Sequence, residues 1–299
     1  MASAFAELTL HHDAIILCTT AHPFLPVVAI GTETGRIFVW DTDSGLLIHI
    51  LHGHTGGVVG LSFSPSGQRL ASFAEDNTVR LWDLDSGASL WIVPGHSDRN
   101  ISVIWNATGE RIALGRDENT AMLLHAKSGA AREVIPECFG CVYVLVAHPT
   151  DDLFASGGSD KMVRVWRWSS GGLVRKLAGH TGYVYSLAAS SNWLVSGSKD
   201  KTVRVWSWWS ETCIRVLGGF QTSIRELAWQ ESTLVVIELR GTVHKIDTSA
   251  ARPKKWRRAI TTLSRSDAAR SVSVLANGGN VLCVMQGREL TAVVWRCDH

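Results

Sequence analysis

His54, Ser72 and Asp76 are the side chains of a proton relay: a hydroxyl to attack, an imidazole to take its proton and a carboxylate to orient the imidazole. The same trio recurs as His180, Ser196 and Asp200, and each set is followed by a tryptophan, Trp82 or Trp206. A reaction needs one such centre. A structural unit that recurs would instead repeat its buried hydrogen bonds, with indole N–H, hydroxyl, imidazole and carboxylate satisfying one another. The repetition favours the structural reading, with no catalytic residue and no enzymatic activity expected. Cys138 and Cys141 have the C-x-x-C spacing that suits a shared metal or a redox pair. A structural zinc site needs about four ligands, and no second pair of this kind accompanies them, so an ordinary turn and no metal are expected. No glycine-rich phosphate loop or nucleotide fingerprint is present, and no cofactor is expected. Lys254, Lys255, Arg257 and Arg258 surround Trp256, a basic run that could touch RNA or acidic lipid but that also suits a solvated turn.

The elements that must carry these residues follow from internal repetition. EDNTVRLWD, SDKMVRVW, KDKTVRVW and TETGRIFVWD end alike at Trp82, Trp166, Trp206 and Trp40. Their spacing is one step, or a double step, of about 40 residues. Gly-His pairs stand at Gly53-His54, Gly95-His96 and Gly179-His180. Within a unit, short apolar runs alternate with turn residues: VVGLSFSP, Ser66-Gly67, RLASFAE, Asp76-Asn77, VRLWDL, Asp85-Ser86-Gly87, SLWIVPG. This is four strands per repeat, the pattern of a propeller blade. Seven units fit the chain as one domain over 1–299, with blades at about 11–53, 54–95, 96–137, 138–179, 180–219, 220–262 and 263–299 plus 4–10. The last unit holds three strands, and Phe5 to Leu10 can supply the fourth, which would pair the two ends of the chain and remove exposed edges.

Composition agrees with a chain that folds along most of its 299 residues: 45% are hydrophobic and 19% charged. A net charge of +2 gives no general reason to expect nucleic acid as the primary ligand. No apolar run is long enough for a transmembrane helix, and the N-terminus lacks a secretory pattern. Six scattered cysteines fit reduced thiols, hence a cytoplasmic or nuclear setting.

On these motifs the sequence resembles the WD-repeat family along essentially its whole length, which implies an all-β, seven-bladed β-propeller with four antiparallel strands per blade. The family's buried tetrad maps onto His54, Ser72, Asp76 and Trp82, and onto His180, Ser196, Asp200 and Trp206. A third unit keeps Ser156, Asp160 and Trp166 but has Cys138 at the histidine position. The other four have mostly lost the tetrad, with Thr34, Glu118, Arg240 and Glu289 at the aspartate position, and are expected to rely more on packing.

The resemblance also implies a partner-binding surface built by the d–a and b–c connections. It would hold Tyr143, Tyr183, Tyr185 and Arg225 near first strands, and Glu33, Glu75, Asp117 and Lys199 before the aspartate position. All three tyrosines of the chain fall there, and tyrosine suits binding hot spots through its apolar face and polar tip. A basic peptide segment, its cation against Tyr143 and Tyr185 and acidic residues beside it, is the expected ligand chemistry. The function implied is a non-catalytic scaffold or subunit of a multiprotein complex that binds proteins or peptides. The alternatives are a substrate receptor of a ubiquitin ligase and a reader of histone-tail peptides. Against the ligase reading, Trp40 and Trp82 are followed by Asp-x-Asp rather than Trp-Asp-x-Arg, and the segment before the first repeat is short for an added domain.

Overall fold

The computed structural model describes residues 5–11, 14–94, 100–116, 121–135, 140–230, 232–240, 242–249, 253, 256–261, 271–275, 280–286 and 289–295. Among these residues there is no α-helix, and the strands form seven four-stranded antiparallel sheets. The first sheet in chain order runs β2 (Ile16–Ala21), β3 (Val27–Thr32), β4 (Ile37–Asp41), β5 (Leu47–Leu51). The second is β6 (Val58–Phe63), β7 (Arg69–Ala74), β8 (Thr78–Asp83), β9 (Ser89–Pro94). The third is β10 (Asn100–Trp105), β11 (Arg111–Arg116), β12 (Ala121–His125), β13 (Ala131–Ile135), and the fourth β14 (Val142–Ala147), β15 (Leu153–Gly158), β16 (Val163–Arg167), β17 (Leu173–Leu177). The fifth is β18 (Val184–Ala189), β19 (Trp193–Ser198), β20 (Val203–Ser207), β21 (Cys213–Leu217). The sixth is β22 (Ile224–Gln230), β23 (Thr233–Glu238), β24 (Val243–Asp247), β25 (Arg257–Thr261). The last joins β26 (Ser271–Leu275), β27 (Asn280–Gln286) and β28 (Glu289–Trp295) to β1 (Phe5–His11). The register of β1 on β28 is unbroken from Phe5 opposite Trp295 to His11 opposite Glu289.

Burial falls from the second strand of a sheet to its fourth. Every residue of β3 and β15 is buried, whereas β5 and β9 are largely exposed. Runs such as VVAIGT and LFASGG are apolar or small on both faces because neighbouring sheets cover both, so simple alternation is lost there. The chain divides into two compact units. The first holds Met1–Val103, Ala126–Ala130 and Ala268–His299, and its core includes Val39, Val58, Phe63, Leu70 and Trp82. The second holds Ile104–His125 and Ala131–Asp267, with Phe154, Trp166 and Trp168 in one cluster and Val195, Val205 and Trp256 in another.

Two irregularities recur in step with the repeat. The third and fourth strands slip at Val39/Trp40, Leu81/Trp82, Val165/Trp166 and Val205/Trp206. The first strand carries a bulge just after its opening residue, with Leu17, Val59, Tyr143, Tyr185 and Arg225 as the extra residues. A bulge re-aims the residue it leaves out of the ladder, so these side chains occupy equivalent positions dictated by backbone rather than by residue type.

Candidate interaction surface

The two complete tetrads have the same geometry. In the first unit the His54 Nδ1–H donates to Asp76 at 3.0 Å, and His54 Nε2 meets the Ser72 hydroxyl at 2.8 Å. The Trp82 indole N–H donates to that same Ser72 oxygen at 2.8 Å. In the second, His180 lies 2.8 Å from Asp200 and 2.7 Å from Ser196, which accepts the Trp206 indole N–H at 2.8 Å. Asp76 also accepts from the backbone N–H of Thr55 and Thr78 and from the Thr78 hydroxyl; Asp200 is served in the same way by Thr181 and Thr202. Burial pushes the His54 and His180 pKa down, outweighing the pull of the aspartates, so both imidazoles are neutral. Burial raises Asp76 and Asp200, yet the N–H and hydroxyl donors outweigh it and hold both below the ordinary carboxylate range.

This is the order of contacts in a nucleophilic relay, but the serine is out of reach. Ser72 and Ser196 are 0% exposed, and each oxygen already accepts an indole N–H. With the imidazole neutral, the serine proton points at the His Nε2, leaving no open position for a substrate.

Elsewhere the buried polar contacts are re-made with different residues. In the fourth sheet, Trp166 donates to Ser156 at 2.8 Å, while Asp160 pairs with the buried Arg164 at 2.5 Å. The equivalent arginines, Arg80 and Arg204, lie over Trp82 and Trp206 at 5.8 and 6.0 Å. Cys138 lies outside the described residues. The sixth sheet, which lacks the tetrad, keeps a buried polar pair of its own. Glu238 and His244, 1% and 2% exposed, meet at 2.6 Å, and Thr222 donates its backbone N–H and hydroxyl to the second carboxylate oxygen. Phe220 sits edge-on to His244 at 5.1 Å. The sequence signal was an ionisable residue at each of two strand positions occupied by Ser198 and Arg204 in the fifth sheet.

The three tyrosines meet in the second unit. Ring centroids are 6.1 Å apart for Tyr143 and Tyr183, 5.7 Å for Tyr143 and Tyr185, and 6.3 Å for Tyr183 and Tyr185. Tyr143 and Tyr185 are the bulge residues of β14 and β18, and Tyr183 precedes β18, which explains their convergence. Tyr183 is exposed, the other two half-buried, and burial together with neighbouring ionisable groups raises the Tyr143 phenol above its usual pKa. The Lys199 ammonium lies 5.0 Å over the Tyr183 ring. Lys199 N–H donates to Tyr183 O at 2.8 Å, and the Ser223 hydroxyl donates to Lys199 O at 3.4 Å. Lys199 is therefore already engaged with one of the three tyrosines. Arg225, the bulge residue of β22, is half-buried.

Two of the acidic residues are neighbours. Glu33 and Glu75 flank Gly57 in the first unit: a Cβ built there would lie 3.0 Å from Glu75 Oε2 and 3.4 Å from Glu33 Cα. Glu33 accepts the Ile15 N–H at 3.1 Å. Asp117 lies outside the described residues. Trp256 is 4% exposed and packs edge-on against Trp193 and Trp229, so it is a core residue and not a stacking platform for a base. Lys254 and Lys255 lie outside the described residues. Of Trp208 and Trp209, the first is buried and the second 55% exposed. No group of three metal-binding side chains occurs among the described residues, and no helix there is long and apolar enough to cross a membrane.

Residues 45–83, 134–167 and 171–207 match the model of the WD domain, G-beta repeat. The chain is 33% identical over 60 residues to a striatin homolog of Dictyostelium discoideum, a match covering 20% of this chain and 7% of that protein. It is 48% identical over 62 residues to periodic tryptophan protein 2 of Arabidopsis thaliana, covering 20% and 7% respectively. To nuclear distribution protein PAC1-1 of Uncinocarpus reesii it is 38% identical over 71 residues, covering 23% of this chain and 16% of that one. The matches thus span a small part of these relatives' own length.

Proposed function

From a chain that carries WD repeats, we infer a non-catalytic scaffold or subunit of a multiprotein complex, whose partner proteins or peptides dock on the tyrosine cluster of the fourth and fifth sheets. The observation that carries this reading is the convergence of Tyr143, Tyr183 and Tyr185, two of them aimed by backbone bulges. Aromatic rings of this kind anchor a partner while retaining polar tips for hydrogen bonds. The sealed serines of the tetrads support the absence of a reaction. A cytosolic or nuclear setting is supported by Cys18 and Cys213, which are not joined in a disulfide.

The ligand chemistry is sharpened by Lys199. Its ammonium covers one face of Tyr183, so an arriving basic side chain would use Tyr143 and Tyr185 or displace it. The test is native affinity purification of wild type, Tyr185→Ala and Lys199→Ala, with all three matched for melting temperature. Partners of the wild type are lost from Tyr185→Ala, and those that dock through a cation are retained more strongly by Lys199→Ala. An unchanged partner set in Tyr185→Ala refutes the site.

A further inference from the structure

A second surface lies in the first unit, on side chains that the tyrosine site does not use. Most of the large hydrophobic side chains exposed among the described residues are gathered in the first two sheets: Phe24 and Leu25 in the β2–β3 turn, Leu46 just before β5, Leu47, Ile48 and Ile50 along it, and Leu90 and Ile92 on β9. Phe24 and Leu46 are 70% and 67% exposed. Beside them is a cleft of about 410 Å³ whose apolar wall is Phe24, Leu25, Val27, Val39, Ile48 and Leu84. Its polar lining includes His49, Gln68 and Asp85. The His49 Nε2–H donates to the Leu84 carbonyl at 2.7 Å, which ties β5 to the end of β8 and fixes one wall.

Two features distinguish this surface from a solvated outer edge. β5 ends its sheet and pairs only with β4, yet its sequence LIHIL holds no lysine, arginine, glutamate or proline. Outer strands β13, β17, β21 and β25 each carry at least one arginine or lysine, the usual protection of a free edge. Exposed apolar groups gathered in this number mark an interaction site. The second feature is charge. Asp41 ends β4 and Asp43 follows in the β4–β5 turn, and Asp83 ends β8 with Asp85 in the β8–β9 turn, where it is exposed in the cleft. Asp41 accepts the backbone N–H of Asp43 and Ser44, and Asp83 accepts from Ser86; these bonds keep both carboxylates charged. Arg69 faces Asp83, which leaves Asp43 and Asp85 to favour an incoming cation.

We propose that the cleft between β5 and the β8–β9 turn is a docking site for a segment of a partner protein that seats an aliphatic or aromatic side chain against Ile48 and Leu84 and sets a lysine or arginine against Asp85. A chain segment fits better than a compact small molecule, because the cleft continues into the exposed apolar length of β5 and its open edge.

The test is selection of a displayed library of random dodecapeptides on the immobilised full chain, with counter-selection on Ile48→Glu. Ile48 and Asp85 are exposed, so Ile48→Glu and Asp85→Lys are expected to melt with the wild type; Leu46→Glu is the second variant should Ile48→Glu not fold. Enriched sequences should pair Leu, Ile or Phe with Lys or Arg. A synthetic peptide of the enriched sequence should bind about tenfold or more weakly to Ile48→Glu and to Asp85→Lys, with unchanged affinity for Tyr185→Ala, which separates this site from the tyrosine cluster. Enrichment that survives counter-selection, enriched peptides lacking a basic residue, or no enrichment overturns the proposal. So does sedimentation showing a dimer that Ile48→Glu dissociates, which would make the occupant a second copy of the chain.

Discussion

At the scale of single residues, buried hydrogen bonds make stability depend on pH in a defined direction. His54 and His180 have folded pKa values below the ordinary 6.5, so as pH falls past 6.5 the unfolded chain gains protons that the folded chain does not. Stability therefore begins to fall just below that value. Asp76 and Asp200 are depressed below 3.8 and Glu238 below 4.5, and their contribution is complete above those values and lost as pH drops through them toward the folded ones. Melting temperature measured from pH 8 downward should hold level to about 6.5, decline, and then decline again below about 4.5. A melt that stayed level to pH 5 would show that the two histidines are not held neutral. These tetrads were legible because they recur at one spacing with one set of residue types. Glu238 with His244 was not, because the pair stands at positions that other repeats fill differently; Asp160 with Arg164 was not, because the same two residue types stand in the complete tetrads, where the aspartate takes the histidine instead. Composition alone does not say which buried groups meet.

The element scale is governed by turns. The turn after the second strand places Asn77, Lys161 and Lys201 at φ of 60, 68 and 63°, the left-handed region that costs an L-residue with a Cβ roughly 1–2 kcal/mol. Asparagine tolerates it best, whereas lysine has no short polar side chain to compensate. Lys201→Gly should thus stabilise the β19–β20 hairpin by about 0.5–1 kcal/mol after the entropic cost of glycine, and Asn77→Gly should change little. Thermal denaturation of both variants checks this, and a lower melting temperature for Lys201→Gly would contradict it. Strand positions were readable from the repeat, as VVGLSFSP and VRLWDL fell into β6 and β8. The bulges were not, because a sequence written as alternation hides an extra residue; Tyr143 and Tyr185 could be placed near first strands, but their departure from the ladder could not be. The apolar exposure of β5 was equally hidden, since LLIHIL reads as a core strand until the sheet order puts it at an edge.

At the scale of the whole molecule, the sheet that contains both β1 and β28 decides how the chain ends are held. Removing residues 1–11 should leave β28 with an open edge of apolar sequence, ELTAVVW, and turn a dispersed protein into one that self-associates. Gel filtration would register the change, and a synthetic peptide of residues 5–11 added in trans should reverse it; a truncated chain that stayed monodisperse would show that β1 protects no edge. The antiparallel register adds a mechanical consequence. Phe5 lies opposite Trp295, so the outward ends of β1 and β28 emerge side by side. A pull applied through anything joined to those ends loads the pairs one after another, as a zipper is opened, instead of loading them together in shear. A ladder that must break all at once in shear would thus yield to a smaller force along that axis, and its first pair, Phe5 with Trp295, would be the first to open.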